Sequence, residues 1–317
     1  MRILVTGGTG IVGSNVIKVA QEKYDAEVIA TLNRRTPQGK IDYTTVKLDV
    51  TNREQLNSVL AEYKPNAVIH CAATVDTDKL ESDHQLGWDL MVAATRYMAE
   101  GCKKVGAKLI QVSSDWVFGQ TDEVYREDTP PCPVNYYGLL KVVGESIVSS
   151  CGVDYGIARI AGVYGVNWSF PDWIPQKEVT GFGTLANWIY EQLKKDQEVV
   201  LWTKHMNIVA NITLASDCAR AMLDIIYKKK SGIFHCCGSK PISRVELGKL
   251  IARTFGFSED KVRAATENEM NPGIVKTPLA AETALDVSRT EKILGTKNAA
   301  PKEGIREWKR QMEEKAL

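Results

Sequence analysis

TGGTGIVG, running from Thr6 to Gly13, is the stretch that decides the fold. The run before it, RILVT at residues 2–6, reads as a buried strand, and residues 10–24 carry a helical pattern, so the glycines fall at a strand-to-helix turn. Gly7, Gly10 and Gly13 then allow a tight turn, close backbone approach to a pyrophosphate, and close packing of helix on strand. The start of the helix adds free N–H groups and a positive dipole end. A glycine-rich turn without a ligand is the bland alternative. The alternating strands and helices beyond the turn argue against it.

EVIATL (27–32), YTTVKLDV (43–50), NAVIHCAA (66–73) and AKLIQVSS (107–114) read as strands, separated by helices over 51–63 and 83–105. The first of these helices opens with Thr51 and Glu54, three apart, as a capping box does. Strand and helix in alternation imply right-handed crossovers and a parallel sheet covered on both faces. The fold class is therefore α/β: a Rossmann-type doubly wound parallel sheet with a smaller C-terminal α/β substrate domain. Residues 1–165, with a return segment near 204–235, are assigned to the dinucleotide domain, and 166–317 mainly to the substrate domain. Between them, 166–183 is a long loop rich in Trp, Phe, Pro and Gly, and its aromatic content argues for function rather than disorder. Further helices are expected over 185–195, 214–229, 244–255 and 302–314.

Composition sets outer limits. The 317 residues are 44% hydrophobic and 25% charged, and 40 basic against 39 acidic residues leave a net charge of +1. That balance does not mark nucleic acid or a membrane surface as partner. No segment approaches the roughly 18 uninterrupted apolar residues of a membrane span, and MRILVTGG passes straight into a strand without a leader-like pattern. Seven scattered cysteines without Cys-x-x-Cys spacing suggest neither a disulfide framework nor a zinc site, so a reducing cytoplasm is the expected setting. No catalytic metal is expected, because no His/Asp/Glu cluster has ligand spacing. His205, His235 and Cys236–Cys237 are read as packing residues in or beside strands.

The second strand ends in TLNRRT, with no acidic residue where a ribose 2′-hydroxyl is usually held. Arg34 and Arg35 suit a 2′-phosphate instead, since a guanidinium pairs with phosphate through two parallel charge-assisted bonds. NADP(H) is favoured over NAD(H), with two solvated loop charges as the alternative. Asp49–Val50, after the third strand, stands either at the adenine or at a helix cap near Thr51.

A proton donor is sought among three Tyr-x-x-x-Lys spacings, Tyr43/Lys47, Tyr137/Lys141 and Tyr190/Lys194. On a strand, residues four apart lie about 13 Å from each other, which removes the first pair. Tyr190 and Lys194 fall in the second half, away from the strand ends. Tyr137 and Lys141 share a helix face after the fifth strand, whose end carries Ser113–Ser114. Tyr136 lies about 100° around that helix and is read as a packing residue. Tyrosine, with an ordinary pKa of about 10, is a sluggish donor at neutral pH. Bringing it near 7 takes about 4 kcal/mol, which one ammonium about 4 Å away supplies at an effective dielectric of about 20. Lys141 is expected to do this while Ser114 orients the reacting carbonyl.

These residues carry a resemblance. TGGTGIVG, SSDWVFG and YYGLLKVVGE are similar to the extended short-chain dehydrogenase/reductase superfamily, whose triad is Ser/Thr, Tyr and Lys. SSDWVFG…EDTPPCPVNYYGLLKVVGE, TDKLES (77–82), GIFHCCGSKPISRVELGKLIARTFG and LDVSRTEKILG resemble, more narrowly, the dTDP-4-dehydrorhamnose reductase family. That resemblance implies NADP(H)-dependent reduction of a nucleotide-linked 4-keto-6-deoxy sugar. Ser114, Tyr137 and Lys141 are then the catalytic residues. The cofactor is implied to lie along Gly7, Gly10, Ile11, Val12, Gly13, Asn33, Arg34 and Arg35, and onward by Asp49, Val50, Cys71, Ala72, Ala73, Tyr137 and Lys141. Thr74, Ser114, Asp115, Trp116, Tyr137, Gly162 and Lys177 are implied on the substrate side. Oligomeric state is left open, a homodimer among the options.

Two departures fall on the substrate side. Where the family typically has Trp in Arg-x-x-Trp-Val-Tyr, this chain has RIAGVY with Gly162, and the usual Arg-Pro before Leu-Asp is here KTP with two extra residues. The related 4,6-dehydratases carry Asp-Glu after the hydroxyl residue, whereas Asp115 is followed by Trp116. That loss weighs against elimination chemistry and leaves an epimerase as an alternative. A second alternative is a binding subunit, because the family also resembles the non-catalytic beta subunit of methionine adenosyltransferase. The loop aromatics Trp168, Phe170, Trp173 and Phe182 either close over sugar or base, with Lys177 at the diphosphate, or pack the loop on the second domain.

Overall fold

The computed structural model describes residues 1–38, 41–74, 76–119, 124–173, 181–270 and 277–315. The chain runs β1 (Arg2–Thr6), α1 (Ile11–Tyr24), β2 (Glu27–Leu32), β3 (Thr44–Lys47), α2 (Arg53–Tyr63), β4 (Ala67–His70), α3 (Thr77–Ser82) and α4 (His84–Trp88). It proceeds through α5 (Ala94–Val105), β5 (Lys108–Ser114), α6 (Tyr136–Ser150), β6 (Tyr155–Ile160), β7 (Val163–Tyr164), α7 (Leu185–Lys194), β8 (Val199–Leu201), β9 (Val209–Ala210) and β10 (Thr213–Leu214). It ends with α8 (Ala215–Tyr227), β11 (Gly232–His235), β12 (Ile242–Ser243), α9 (Arg244–Phe255), β13 (Val262–Ala264), β14 (Glu282–Thr283), α10 (Ser288–Leu294) and α11 (Pro301–Lys315).

Seven strands form one parallel sheet in the order β11-β6-β5-β4-β1-β2-β3. Ile3, Leu4 and Val5 are fully buried in succession, as a central parallel strand covered on both faces requires. α1 and α8 cover one face, with Val16, Val19 and Ala20 packed beside Met222 and Ile225. On the other face lie α2, α5 and α6, through Leu56, Leu60, Met98, Cys102 and Val148. A second core joins α7, α9, α11 and β8 around Ile189, Leu193, Leu247, Ile251, Ile305 and Trp308. Three small sheets, β10-β7, β12-β9-β14 and β13-β8, frame it. The order of the large sheet reverses direction between β1 and β4, and open α/β sheets bind ligands at such a crevice.

Local departures from the sequence reading have identifiable causes. The cap of α2 is Asn52, whose side chain accepts the Gln55 N–H at 3.0 Å, rather than Thr51. Thr51 is diverted because its hydroxyl and N–H both donate to Asp49 Oδ1, at 2.7 and 3.0 Å. The single helix expected over 83–105 is divided by a π turn, Asp89–Ala93. A π turn re-phases a helix, and Met91 and Val92 in this one pack with Leu80 and Leu140 beside α6. α10, absent from the sequence reading, carries Ser288 and Glu291 three apart at its start and Gly295 as its left-handed C-cap. His205 sits exposed at a left-handed turn (φ 63°) instead of packing, while His235, Cys236 and Cys237 are fully buried.

Candidate active site

Gly7 turns with φ 65°, a conformation glycine adopts freely, and a Cβ there would stand 3.0 Å from the Ala72 backbone. A Cβ on Gly13 would stand 2.3 Å from the Gly7 carbonyl oxygen. The chain's own packing thus accounts for both. Gly10 differs: its φ of −78° and ψ of 163° suit any residue, and a Cβ would meet only the Gly7 oxygen, at 3.4 Å. The turn leaves room there that none of the described residues fills. Gly10 is also the N-cap of α1, which receives no side-chain cap. A diphosphate fits this cradle, since it would occupy the space a Cβ would fill and accept from the uncapped N–H groups of Ile11 and Val12.

Around the cradle, Asn33, Arg34 and Arg35 are exposed beyond β2, and among the described residues neither arginine has a carboxylate partner. Cys71, Ala72 and Ala73 follow β4, and Ala72 N–H donates to Thr6 Oγ1 at 3.1 Å, tying this segment to the glycine turn. Thr74 Oγ1 accepts the Asp76 N–H at 3.3 Å. Asp49 closes the turn before α2, whereas the Val50 side chain is buried with Leu56 and Leu60. Its side chain therefore offers nothing to an adenine.

The tyrosine stands on α6, packed at the end of β5. Asn135 caps α6 through Oδ1 on the Gly138 N–H at 2.8 Å, and Glu81 Oε1 accepts the Tyr136 N–H at 2.9 Å. A Cβ on Gly138 would stand 2.2 Å from the Trp116 carbonyl oxygen, so glycine lets α6 settle onto the end of β5. Tyr137 is thereby brought to the Ser114 hydroxyl and set edge-on to Trp116, ring centroids 5.7 Å apart. Lys141, one turn on, is buried, with Nζ 5.5 Å from the Tyr137 ring centroid and donating to the Val112 carbonyl at 2.9 Å. Burial brings its ammonium down to about 8. Tyr136 bonds outward, its hydroxyl to the His84 carbonyl and its ring against His84. Tyr190 belongs to the second core, beside Phe255, Phe257 and Trp308.

Three expectations are corrected here. Lys141 does not draw the Tyr137 phenol toward neutrality: burial and the Asp115 carboxylate push it above its ordinary range, and the opposing influence is the nearby Ser114 hydroxyl. The ammonium is committed to the Val112 carbonyl instead. Asp115 does not face a sugar. It is 3% exposed, Oδ1 accepting from Ser114 at 2.9 Å and Oδ2 from Thr283 at 2.6 Å, and burial raises its carboxyl to about 6. Gly162, with φ 48°, is wedged so that a Cβ would stand 2.9 Å from Phe182 and 3.3 Å from Ile212. It shapes the chain path, and no side chain larger than hydrogen fits where the family's tryptophan would stand. Lys177 lies outside the described residues.

The loop aromatics also divide differently. Trp168 and Phe170 lie against α1 and the end of β2, Trp168 beneath Lys18 at 4.3 Å and Phe170 beneath Arg35 at 5.8 Å. Phe182 packs over Gly162 and under Arg244, and Gly181 abuts the Trp116 ring. Sequence reasoning misses the support beneath the triad. Ser113 donates to Glu145 at 2.6 Å, and Arg159 pairs with both Glu145 oxygens at 2.9 and 2.8 Å, fully buried. Glu145 stands one helical turn after Lys141, a spacing that signals a shared face. Thr6 and His70, bonded at 2.7 Å beside Lys141, escape it as well, and burial drives the His70 imidazole down to about 3, hence neutral.

Comparison with known proteins agrees with this architecture. Residues 1–314 match the family described as RmlD substrate binding domain. Methionine adenosyltransferase 2 subunit beta of Xenopus laevis is 29% identical over 96% of this chain and 86% of its own length. A probable low-salt glycan biosynthesis reductase of Haloferax volcanii is 27% identical over 93% of each chain. Among solved structures, a dTDP-4-dehydrorhamnose reductase from Clostridium acetobutylicum superposes with a TM-score of 0.79 at 26% identity, covering 99% of this chain and 100% of that one.

Proposed function

From the premise that this chain belongs to the RmlD substrate-binding-domain family, we propose that it is an NADP(H)-dependent reductase of a nucleotide-linked keto sugar. The observation that carries the proposal is the convergence of Ser114, Tyr137 and Lys141 at the sheet's C-terminal edge, beside a cradle whose Gly10 the fold itself does not need.

When bound, the cofactor supplies the hydride. Gly10, Ile11 and Val12 hold its diphosphate through backbone, with Arg34 and Arg35 on the 2′-phosphate. Ser114 hydrogen-bonds the reacting carbonyl oxygen and Tyr137 delivers a proton to it. A phenol held above its ordinary range is fully protonated at neutral pH but gives up its proton reluctantly, so the charge developing on the carbonyl oxygen must draw the proton across. Lys141 holds its ammonium 5.5 Å from the Tyr137 ring centroid, bound to the Val112 carbonyl, and so fixes that side of the tyrosine. The Glu145–Arg159 pair supports the helix face that carries Lys141.

Consumption of NADPH and of NADH against dTDP-, GDP- and UDP-linked 4-keto sugars tests this reading. One sugar is expected to drive NADPH oxidation, and Tyr137→Phe to slow it at least about a hundredfold with NADPH binding retained. Full activity in Tyr137→Phe would overturn the assignment. A second reading, a regulatory subunit, draws on the similarity to methionine adenosyltransferase 2 subunit beta. It gains if this chain alters a synthetase partner's activity equally well with Tyr137→Phe and no sugar is reduced.

A further inference from the structure

The adenosine end of the cradle is walled by a segment of the loop that follows β7. Asn167 donates its amide to the Thr9 carbonyl at 3.3 Å, and Trp168 donates its N–H to Ser14 Oγ and its indole N–H to Asn15 Oδ1, both at 3.2 Å. Ser169, 2% exposed, donates its hydroxyl to the Gly8 carbonyl at 3.0 Å and accepts the Gln38 N–H on its own carbonyl at 2.8 Å. One short segment thus bonds the glycine turn on one side and the connection between β2 and β3 on the other. Phe170, the next residue, is fixed by this anchoring. Its ring lies under Arg35, 5.8 Å from centroid to guanidinium carbon, and Arg35 has no carboxylate partner among the described residues.

We propose that Phe170 is a positioning residue for cofactor choice, its ring holding the Arg35 guanidinium where it selects a phosphorylated adenosine ribose. The inference rests on the NADP(H) part of the proposed function. An exposed arginine on a flexible stem loses rotamer freedom when it grips a phosphate, and a ring that already fixes its plane removes part of that cost. NADPH carries the phosphate and NADH does not, so the effect of Phe170 falls on one cofactor alone. Arg35 is the intermediary, so the effect disappears with it.

The test is calorimetric titration of NADPH and NADH into the full-length wild type, Phe170→Ala, Phe170→Trp, Arg35→Ala and the Arg35→Ala/Phe170→Ala double variant. Phe170→Ala is expected to weaken NADPH binding by about two- to fivefold, the range of an exposed cation–π contact, and to leave NADH binding unchanged. Phe170→Trp keeps the wild-type value, and Phe170→Ala has no further effect in the Arg35→Ala background. Equal weakening of both cofactors, no weakening, or a full effect persisting without Arg35 would each overturn the inference. If NADPH binds with this pattern while no keto sugar is reduced, the functional reading fails and this one stands. If neither dinucleotide binds the wild type, both fail.

Discussion

α1 and α6 start in the same way and end up with opposite uses. Each starts beside the C-terminal end of a parallel strand, α1 directly after β1 and α6 after the long connection from Ser114 to Asn135. Each has near its start a glycine whose Cβ would strike a backbone carbonyl, Gly13 at 2.3 Å from Gly7 and Gly138 at 2.2 Å from Trp116. Both glycines bring a helix close to a strand end. The N-termini then diverge. That of α1 has no side-chain cap, whereas that of α6 is closed by Asn135 and by the Glu81 carboxylate, a charge the helix dipole favours. An open N-terminus offers backbone donors to an anion, and a closed one offers a rigid mount for a side chain. The site is assembled from one of each.

Substitutions can break that contrast from either side. The largest effect on stability is expected at the charge held beneath α6. Asp115 titrates at about 6 in the fold against an ordinary 3.8, so the folded state holds its proton more tightly than the unfolded one. Its contribution is fully present below the unfolded value and is lost as pH rises through about 6. Urea denaturation should show a loss of about 2 kcal/mol between pH 4 and 6 that Asp115→Asn lacks. A wild type equally stable at both pH values would show that Asp115 is not held this way.

Gly138→Ala comes next. The Trp116 carbonyl must move, so we expect destabilisation of about 1–3 kcal/mol, together with a fall in kcat as Tyr137 is displaced from Ser114. Unchanged kcat would mean that close packing of α6 is not what positions the tyrosine.

At the open helix the same substitution should act in reverse. Gly10→Ala fits the backbone and its neighbours, so stability should hold within about 0.5 kcal/mol. NADPH affinity should fall about tenfold or more as the methyl group enters the cradle. Loss of stability without loss of affinity would assign Gly10 to the fold alone. The smallest effect belongs to Asn135→Ala, about 1 kcal/mol in denaturation for a lost cap.

The contrast also explains what the sequence could reveal. Gly7, Gly10 and Gly13 are legible because their spacing encodes a turn, and Tyr137 with Lys141 because a helix face encodes adjacency. Contacts that join distant segments have no such period. Thr283 reaches Asp115 across 168 residues and Ser169 reaches Gly8 across 161, and neither pairing leaves a local trace. The cap of α2 is ambiguous for a different reason: Thr51 and Asn52 are both good caps, and only the bond from Thr51 to Asp49 decides between them. The tyrosine's acidity is illegible because residue order carries a charge's identity but not its direction. Lys141 points at a carbonyl, while burial first and then Asp115, beside the phenol, push its acidity the other way.

The large sheet has a consequence for how the protein is made. β6 ends at Ile160 and its outer neighbour β11 does not begin until Gly232, with α8, which covers half of one face, between them. At a ribosome's usual pace of about 5–20 residues per second, roughly 75 residues separate the last strand of the first half from completion of the sheet, a wait of about 4–15 s. During that interval the nascent chain presents a bare parallel edge at β6 and an uncovered apolar layer beside Val16 and Ile110. A chain stopped near residue 165 would carry every residue of the glycine turn and the tyrosine helix and still be a ready substrate for chaperones rather than a half-enzyme.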